Sequence, residues 1–200
     1  MKTKIINEYP NSILGETSAP IIYVADFTER TGSVRKVEIS NSILMDPNDN
    51  DVEMDCCLVV NPEEMMVDYN IFDDAQFEDE KGKLLKHGEC CLFPHINDTK
   101  TWILFIEIKD CKPSRIGKYK KNVKEKSIKN VELFRDKKII TDNNVYCVAS
   151  FPRKKTAFNE MIVTDPTEYK RFYKEYGFHF VPANEVTIKD DTIIEFYKKQ

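Results

Sequence analysis

Residues 101–112, which read TWILFIEIKDCK, constrain the fold of this chain more than any other segment. A short apolar run rich in β-branched and aromatic side chains predicts a buried strand. Successive side chains of a strand point to opposite faces, so Glu107 and Lys109 should project from the same face. Burying a carboxylate and an ammonium there costs free energy unless the two groups pair or hold a ligand. A site of metal-assisted hydrolysis would account for both charges.

The elements around this strand resemble those of the PD-(D/E)xK nuclease superfamily. Residues 88–94, GECCLFP, predict a preceding strand, and residues 95–100, HINDTK, predict a turn because Asn and Asp favour turns. The resemblance implies a restriction-endonuclease-like fold and hydrolysis of phosphodiester bonds in DNA or RNA. It also implies that carboxylates of two neighbouring strands hold Mg²⁺, or Mn²⁺, while Lys109 orients or deprotonates the attacking water.

The second carboxylate of this site is not where the superfamily pattern places it. The aligned position holds Cys91, and Mg²⁺ prefers oxygen ligands to a thiolate. Glu89 lies two residues earlier, on the same strand face, and is predicted to supply the carboxylate. We therefore expect Glu89 and Glu107 to be metal ligands and, with Lys109, catalytic residues. Cys91 is a candidate supporting residue, and Asp98 in the turn is an alternative acid.

A similar segment earlier in the chain leaves a second alternative open. Residues 54–64, MDCCLVVNPEE, also predict a strand with two adjacent cysteines. If that strand were the neighbour of the Glu-x-Lys strand, Asp55 would be its acidic partner. Proximity along the chain favours the strand at residues 88–94.

The segment after the Glu-x-Lys strand predicts a long basic helix over about residues 117–134. Residues spaced three and four apart form one stripe that should face the sheet. The superfamily commonly carries a small residue on this helix and, three positions later, a Gln directed at the site. Ser127 and Asn130 stand in a similar relation and are candidates for supporting the site. Alternatively, both are polar residues at the margin of a packed helix.

Charge is strongly segregated along the chain despite a net charge of only −4. Residues 46–80 contain no Lys or Arg, whereas residues 109–138 contain twelve against four acids. Lysine-rich surfaces attract nucleic acid through counterion release, although most charge runs are solvated helix faces. The candidate contacts to a DNA or RNA backbone are Lys118, Lys120, Lys121, Lys124 and Arg153.

Two further helices are expected. Asn61 as a cap and Pro62 at the first helical position predict a short helix through Met66. Residues 166–176 predict another, with Thr164 or Asp165 as its cap and a glycine just after its end.

At 200 residues, 41% hydrophobic and 32% charged, the chain predicts a single globular α/β domain over residues 1–200. A mixed central β-sheet flanked by helices is expected, antiparallel at the hairpin and parallel after the basic helix, with a nuclease-like core over about residues 83–151. Residues 1–15 lack the apolar core of a signal peptide, and no run reaches the length of a membrane span. We therefore expect a cytoplasmic protein with no membrane partner.

The six cysteines predict reduced, buried thiols. None of the cysteine pairs has the two-residue gap typical of a zinc site, so zinc held with His87 or His95 is the weaker alternative. Two other functions stay open beside the nuclease. One is a catalytically inactive nuclease-like domain that acts as a binding or scaffolding module. The other is an unrelated interaction protein whose Glu107 strand runs out into solvent.

Overall fold

The computed structural model describes residues 1–34, 36–79, 81–96, 100–156, 158 and 166–196. Its α-helices are α1 (Lys2–Glu8), α2 (Thr28–Thr31), α3 (Ile116–Asp136) and α4 (Pro166–Tyr176). Short 3₁₀ helices cover Asp74–Gln76 and Pro113–Arg115. Among these residues, no helix combines the length and the hydropathy that crossing a bilayer would require.

A mixed sheet of six strands runs through the centre of the described chain. In spatial order its strands are β1 (Ile13–Thr17), β7 (Val67–Ile71), β8 (Cys90–Pro94), β9 (Trp102–Ile108), β10 (Asn144–Ser150) and β11 (His179–Pro182). Strands β7, β8 and β9 pair antiparallel, and β10 pairs parallel to β9 after the α3 crossover. The predicted antiparallel hairpin, the basic helix and the parallel strand after it are therefore confirmed.

A second sheet of five strands is formed by other parts of the described chain. In spatial order its strands are β13 (Ile194–Phe196), β12 (Glu185–Ile188), β6 (Cys57–Val60), β2 (Ile21–Asp26) and β3 (Val37–Ser40). This sheet covers one face of the six-stranded sheet, while α1, α3 and α4 cover the other. The expectation of a central sheet flanked by helices is thus corrected in the described part of the chain, because α1, α3 and α4 lie on one face and the five-stranded sheet covers the other.

Strand β9 illustrates how the layers divide. Ile103 and Phe105 pack towards the helices, whereas Trp102 and Leu104 pack towards the five-stranded sheet. All four are buried, because a strand with both faces covered places every side chain in a core. The side chains of odd number on β9 therefore share the helix face.

The predicted helix at residues 61–66 is wrong, because a turn occupies this segment. The Asn61 side chain accepts a hydrogen bond from Met65 N at 3.1 Å and donates one to Met65 O at 2.9 Å. These bonds give the backbone an alternative to helical hydrogen bonding.

A small hairpin of β4 (Met45–Asp46) and β5 (Asp49–Glu53) forms where the stretch without Lys or Arg, residues 46–80, begins. The predicted helix α4 is confirmed, and Gly177 follows it with a φ of 69°, a conformation that favours glycine. Its predicted caps, Thr164 and Asp165, lie outside the described residues.

Candidate functional site

The pairing of β8 with β9 brings two carboxylates together. Cys90 lies opposite Ile106, so continuing this antiparallel register places Glu89 opposite Glu107. Both residues fall on the face that packs against the helices. Glu107 is 3% exposed, which shows that the β9 strand does not run out into solvent at this point.

Two lysines contact these carboxylates. Lys109 Nζ lies 2.8 Å from Glu89 Oε1 and 3.1 Å from Glu107 Oε1. Lys126 Nζ, which α3 contributes, lies 3.1 Å from Glu89 Oε1 and 2.8 Å from Glu107 Oε1. We call Glu89, Glu107, Lys109 and Lys126 the carboxylate–lysine cluster. Each ammonium bridges the same two oxygens, so all four groups meet in one small space.

One carboxylate oxygen of this cluster has no hydrogen-bond partner in the described part of the chain. Glu107 Oε2 is buried and receives no hydrogen bond from the described residues. It lies beside Gly88, where an added Cβ would stand 3.7 Å away. A buried carboxylate oxygen without a donor is costly, and it marks a place where a cation or another donor would be favourable.

The cluster separates the proton affinities of its two carboxyl groups. Burial and the neighbouring Glu89 carboxylate raise the pKa of Glu107 to about 7, although Lys109 and Lys126 oppose this effect. Burial would also raise the pKa of Glu89, but Lys109 and Lys126 outweigh burial and lower that pKa to about 2. Glu89 is therefore ionised throughout the physiological range, while Glu107 is poised between its two forms.

The pKa of Lys109 shifts in the opposite sense from that of a simple buried lysine. Burial alone would lower it, but the Glu107 and Glu89 carboxylates outweigh burial and raise the pKa above its ordinary value. Lys109 is therefore an ammonium at neutral pH. A lysine in this state donates hydrogen bonds and cannot accept a proton.

Asn130 supports the cluster, whereas Ser127 does not. Asn130 Oδ1 accepts a hydrogen bond from Gly88 N at 2.9 Å, which ties α3 to the residue before Glu89. An added Cβ on Gly88 would lie 2.4 Å from Asn130 Nδ2, so this close approach requires glycine. Ser127 Oγ instead donates to Val123 O within its own helix at 2.9 Å.

Cys91 shares a strand face with Glu89 but belongs to the apolar core. It pairs with Phe105 across the hairpin and is fully buried. Burial raises the pKa of its thiol well above the usual value, so the thiolate that a metal requires is disfavoured. The alternative acid Asp55 is also elsewhere, since β6 lies in the five-stranded sheet and Asp55 pairs with Lys155. Asp98 lies outside the described residues.

A different group of side chains has the spacing of metal ligands among the residues described. Glu16, Asp68 and His95 each offer one ligand atom, all within 4.8 Å of one another. Lys2 Nζ lies 2.8 Å from Asp68 and 3.2 Å from Glu16, so one ammonium already offsets part of the negative charge of these two acids. This group contains no cysteine, and Asp68 pairs with Phe93, towards the other end of β8 from Glu89.

The five basic residues expected to hold nucleic acid differ in exposure and in their neighbours. Lys118 and Lys121 are exposed. Lys124 Nζ lies 5.2 Å from the centre of the Phe172 ring, on the α4 side of the helix. Lys124 and Lys126 are two positions apart, which places their side chains about 160° apart around the helix axis.

Lys120 and Arg153 complete this set. Lys120 is half-buried on α3. Arg153 Nε lies 3.7 Å from the buried Asp110, in a polar cleft that Arg30 also lines. The grouping of Arg153 with the lysines of α3 stays a prediction.

Sequence reasoning missed two residues near the cluster. Lys126 is not among the residues that the sequence predicts for the site, although it stands next to Ser127 at the edge of the buried stripe. Asp26 is the last residue of β2. Burial raises the pKa of Asp26, the Glu89 carboxylate adds to this rise, and the Lys109 ammonium opposes it. The position of Lys126 beside the stripe was a usable signal, whereas nothing in the local sequence linked Asp26 to β9.

Comparisons of the chain with protein-family models, with curated proteins and with solved structures returned no match.

Proposed function

We propose that this protein is a metal-dependent nuclease that hydrolyses phosphodiester bonds of DNA or RNA. The observation that supports this proposal most directly is that Glu89 and Glu107, from adjacent strands, share one buried site with Lys109. The order of β7, β8, β9, α3 and β10 in one mixed sheet supports a restriction-endonuclease-like arrangement. Both features match what the Glu-x-Lys resemblance implies.

The donor set suits Mg²⁺ or Mn²⁺. Glu89 and Glu107 offer carboxylate oxygens, which hard divalent cations prefer. Their Oε1 atoms already attract two ammonium groups, and Glu107 Oε2 is buried with no donor among the described residues. We propose that a divalent cation binds between these two residues, with no contribution from the protonated Cys91 thiol.

Glu89 and Lys109 would have different roles in the hydrolysis of a phosphodiester bond. A bound metal would polarise a phosphoryl oxygen and lower the pKa of its water. Glu89 supplies a permanent negative charge because its pKa is about 2. Lys109 stays protonated, so it orients the attacking water or stabilises the charge that develops on the phosphate, and does not remove a proton.

Exposed lysines of α3 would hold the nucleic-acid backbone. We keep Lys118 and Lys121 as backbone contacts because both are exposed. Lys120, half-buried on the same helix, stays a candidate. Lys124 and Arg153 have less support, since one lies over the Phe172 ring and the other beside Asp110.

A nuclease-like module that binds without catalysis is the second candidate. In its favour, two carboxylates and two ammonium groups neutralise one another, so the cluster needs no metal to be charge-balanced. An unrelated interaction protein has less support, because that reading places Glu107 in solvent and Glu107 is 3% exposed.

A cleavage assay separates these functions. Labelled single- and double-stranded DNA and RNA would be incubated with Mg²⁺ or Mn²⁺ and the wild-type protein, Glu107→Gln or Lys109→Met. Glu132→Gln is the matched control, since Glu132 is an exposed acid of α3 paired with Lys129. We expect metal-dependent cleavage that falls by about 10²–10³ in the first two variants only. Binding of nucleic acid without cleavage under either metal would favour the module instead.

A further inference from the structure

Lys126 is the member of the cluster whose interactions depend most completely on the two carboxylates. Its ion-pair partners among the described residues are Glu89 and Glu107. Lys109 differs, because Asp26 is a further carboxylate that interacts with it. Lys109 also stands two residues from Glu107 on the same strand, whereas Lys126 reaches the site from a helix.

Adding a divalent cation would upset the charge balance of this site. Two carboxylates and two ammonium groups sum to zero, so a divalent ion would leave a net charge of +2. Like charges at these separations repel strongly in a half-buried site. Lys126, which has no carboxylate partner other than these two among the residues that the structure describes, is the ammonium that should leave.

We propose that Lys126 is a built-in cation that occupies the metal-binding side of Glu89 and Glu107 and is displaced when a divalent metal binds, a role that rests on the metal site proposed above. Once displaced, its ammonium contacts a phosphate of the nucleic acid. The surplus positive charge that the metal creates then attracts the phosphodiester backbone. Lys126 thus couples metal binding to substrate binding.

Metal titration without nucleic acid tests the displacement. Mg²⁺ and Mn²⁺ would be titrated calorimetrically at pH 9 into the wild-type protein and Lys126→Met. The alkaline pH keeps Glu107 ionised even though losing Lys126 raises its pKa further. Lys126→Arg retains the positive charge, and Lys129→Met removes a half-buried lysine of the same helix that pairs with Glu132 and not with the cluster.

We expect Lys126→Met to bind Mg²⁺ about fivefold more tightly than the wild-type protein, because the competing cation is gone. Lys126→Arg and Lys129→Met should match the wild type. Should Lys126→Met fail to fold, Lys126→Gln takes its place, since an amide can still donate to the carboxylates. Equal or weaker metal binding in the neutral variants, or no binding in any protein, would overturn the proposal.

A second readout concerns the substrate. With metal present, Lys126→Met should raise the KM for a labelled oligonucleotide about tenfold, the size expected for one lost phosphate contact. An unchanged KM would contradict the phosphate contact. The two proposals fail separately: tighter metal binding in Lys126→Met without any wild-type cleavage would retain the displaced cation and reject the nuclease.

Discussion

Replacing Glu107 with Gln should change the pH dependence of stability in a defined way. The pKa of Glu107 is raised from 4.5 to about 7 in the folded protein. A group with a raised folded pKa contributes stability that is fully present below pH 4.5 and is lost as pH rises through 7. At about 1.4 kcal/mol for each tenfold change in proton affinity, the loss between pH 4.5 and pH 8 is about 3 kcal/mol. Gln does not titrate, so its free energy of unfolding should lack this component.

Urea denaturation of both proteins from pH 4.5 to pH 8 measures this difference. The free energy of unfolding of Glu107→Gln, minus that of the wild type, should rise by about 3 kcal/mol across the range. Glu89 cancels in the comparison, because its folded pKa of about 2 keeps it ionised throughout. A flat difference, or one that falls with pH, would show that Glu107 ionises normally and is not buried beside Glu89.

Three further outcomes follow from the same contacts. Cys91→Ser should leave Mg²⁺ affinity unchanged in calorimetry while lowering stability by about 1–3 kcal/mol in urea, because it places a hydroxyl in an apolar core; a large loss of affinity would restore Cys91 as a ligand. Gly88→Ala should destabilise the protein by about 1–3 kcal/mol, since its Cβ meets the Asn130 amide. That cost should shrink in an Asn130→Ala background, and an unchanged cost would contradict the contact. As pH rises towards 7, Mg²⁺ affinity should increase about tenfold per pH unit, and above pH 7 it should level off, because metal and proton compete for Glu107. An affinity that does not change between pH 5.5 and pH 7 would place the ion elsewhere.

Much of the six-stranded sheet and its helix α3 can be predicted from the local periodicity of apolar residues. The apolar run of β9 and the stripe of α3 each encode their own secondary structure, and the order of hairpin, helix and strand fixes how they pair. The second sheet was not predictable in the same way. Its strands β2, β6 and β12 pair across long stretches of chain, and nothing local signals which distant strand a short strand will join.

The local sequence likewise predicts some residues of the candidate site and not others. Glu107 and Lys109 were predictable because two residues of one strand must share a face. Glu89 was predictable because the hairpin makes its strand the neighbour of the strand that carries Glu107. The reach of Lys126 depends on how α3 packs over β9, which the sequence does not state locally. At Asn61 the local signal misleads. The residues favour the start of a helix, but the Asn61 side chain hydrogen-bonds the backbone of Met65 and stabilises a turn.

The most direct test of the account is calorimetric titration of Mg²⁺ and Mn²⁺ into the wild-type protein, Glu89→Gln and Glu107→Gln at pH 8. The proposed site predicts one ion per chain that both variants lose. Retention of binding in both variants would contradict it. If Asp68→Asn, titrated in the same way, lost the ion instead, the ion would belong to the group of Glu16, Asp68 and His95.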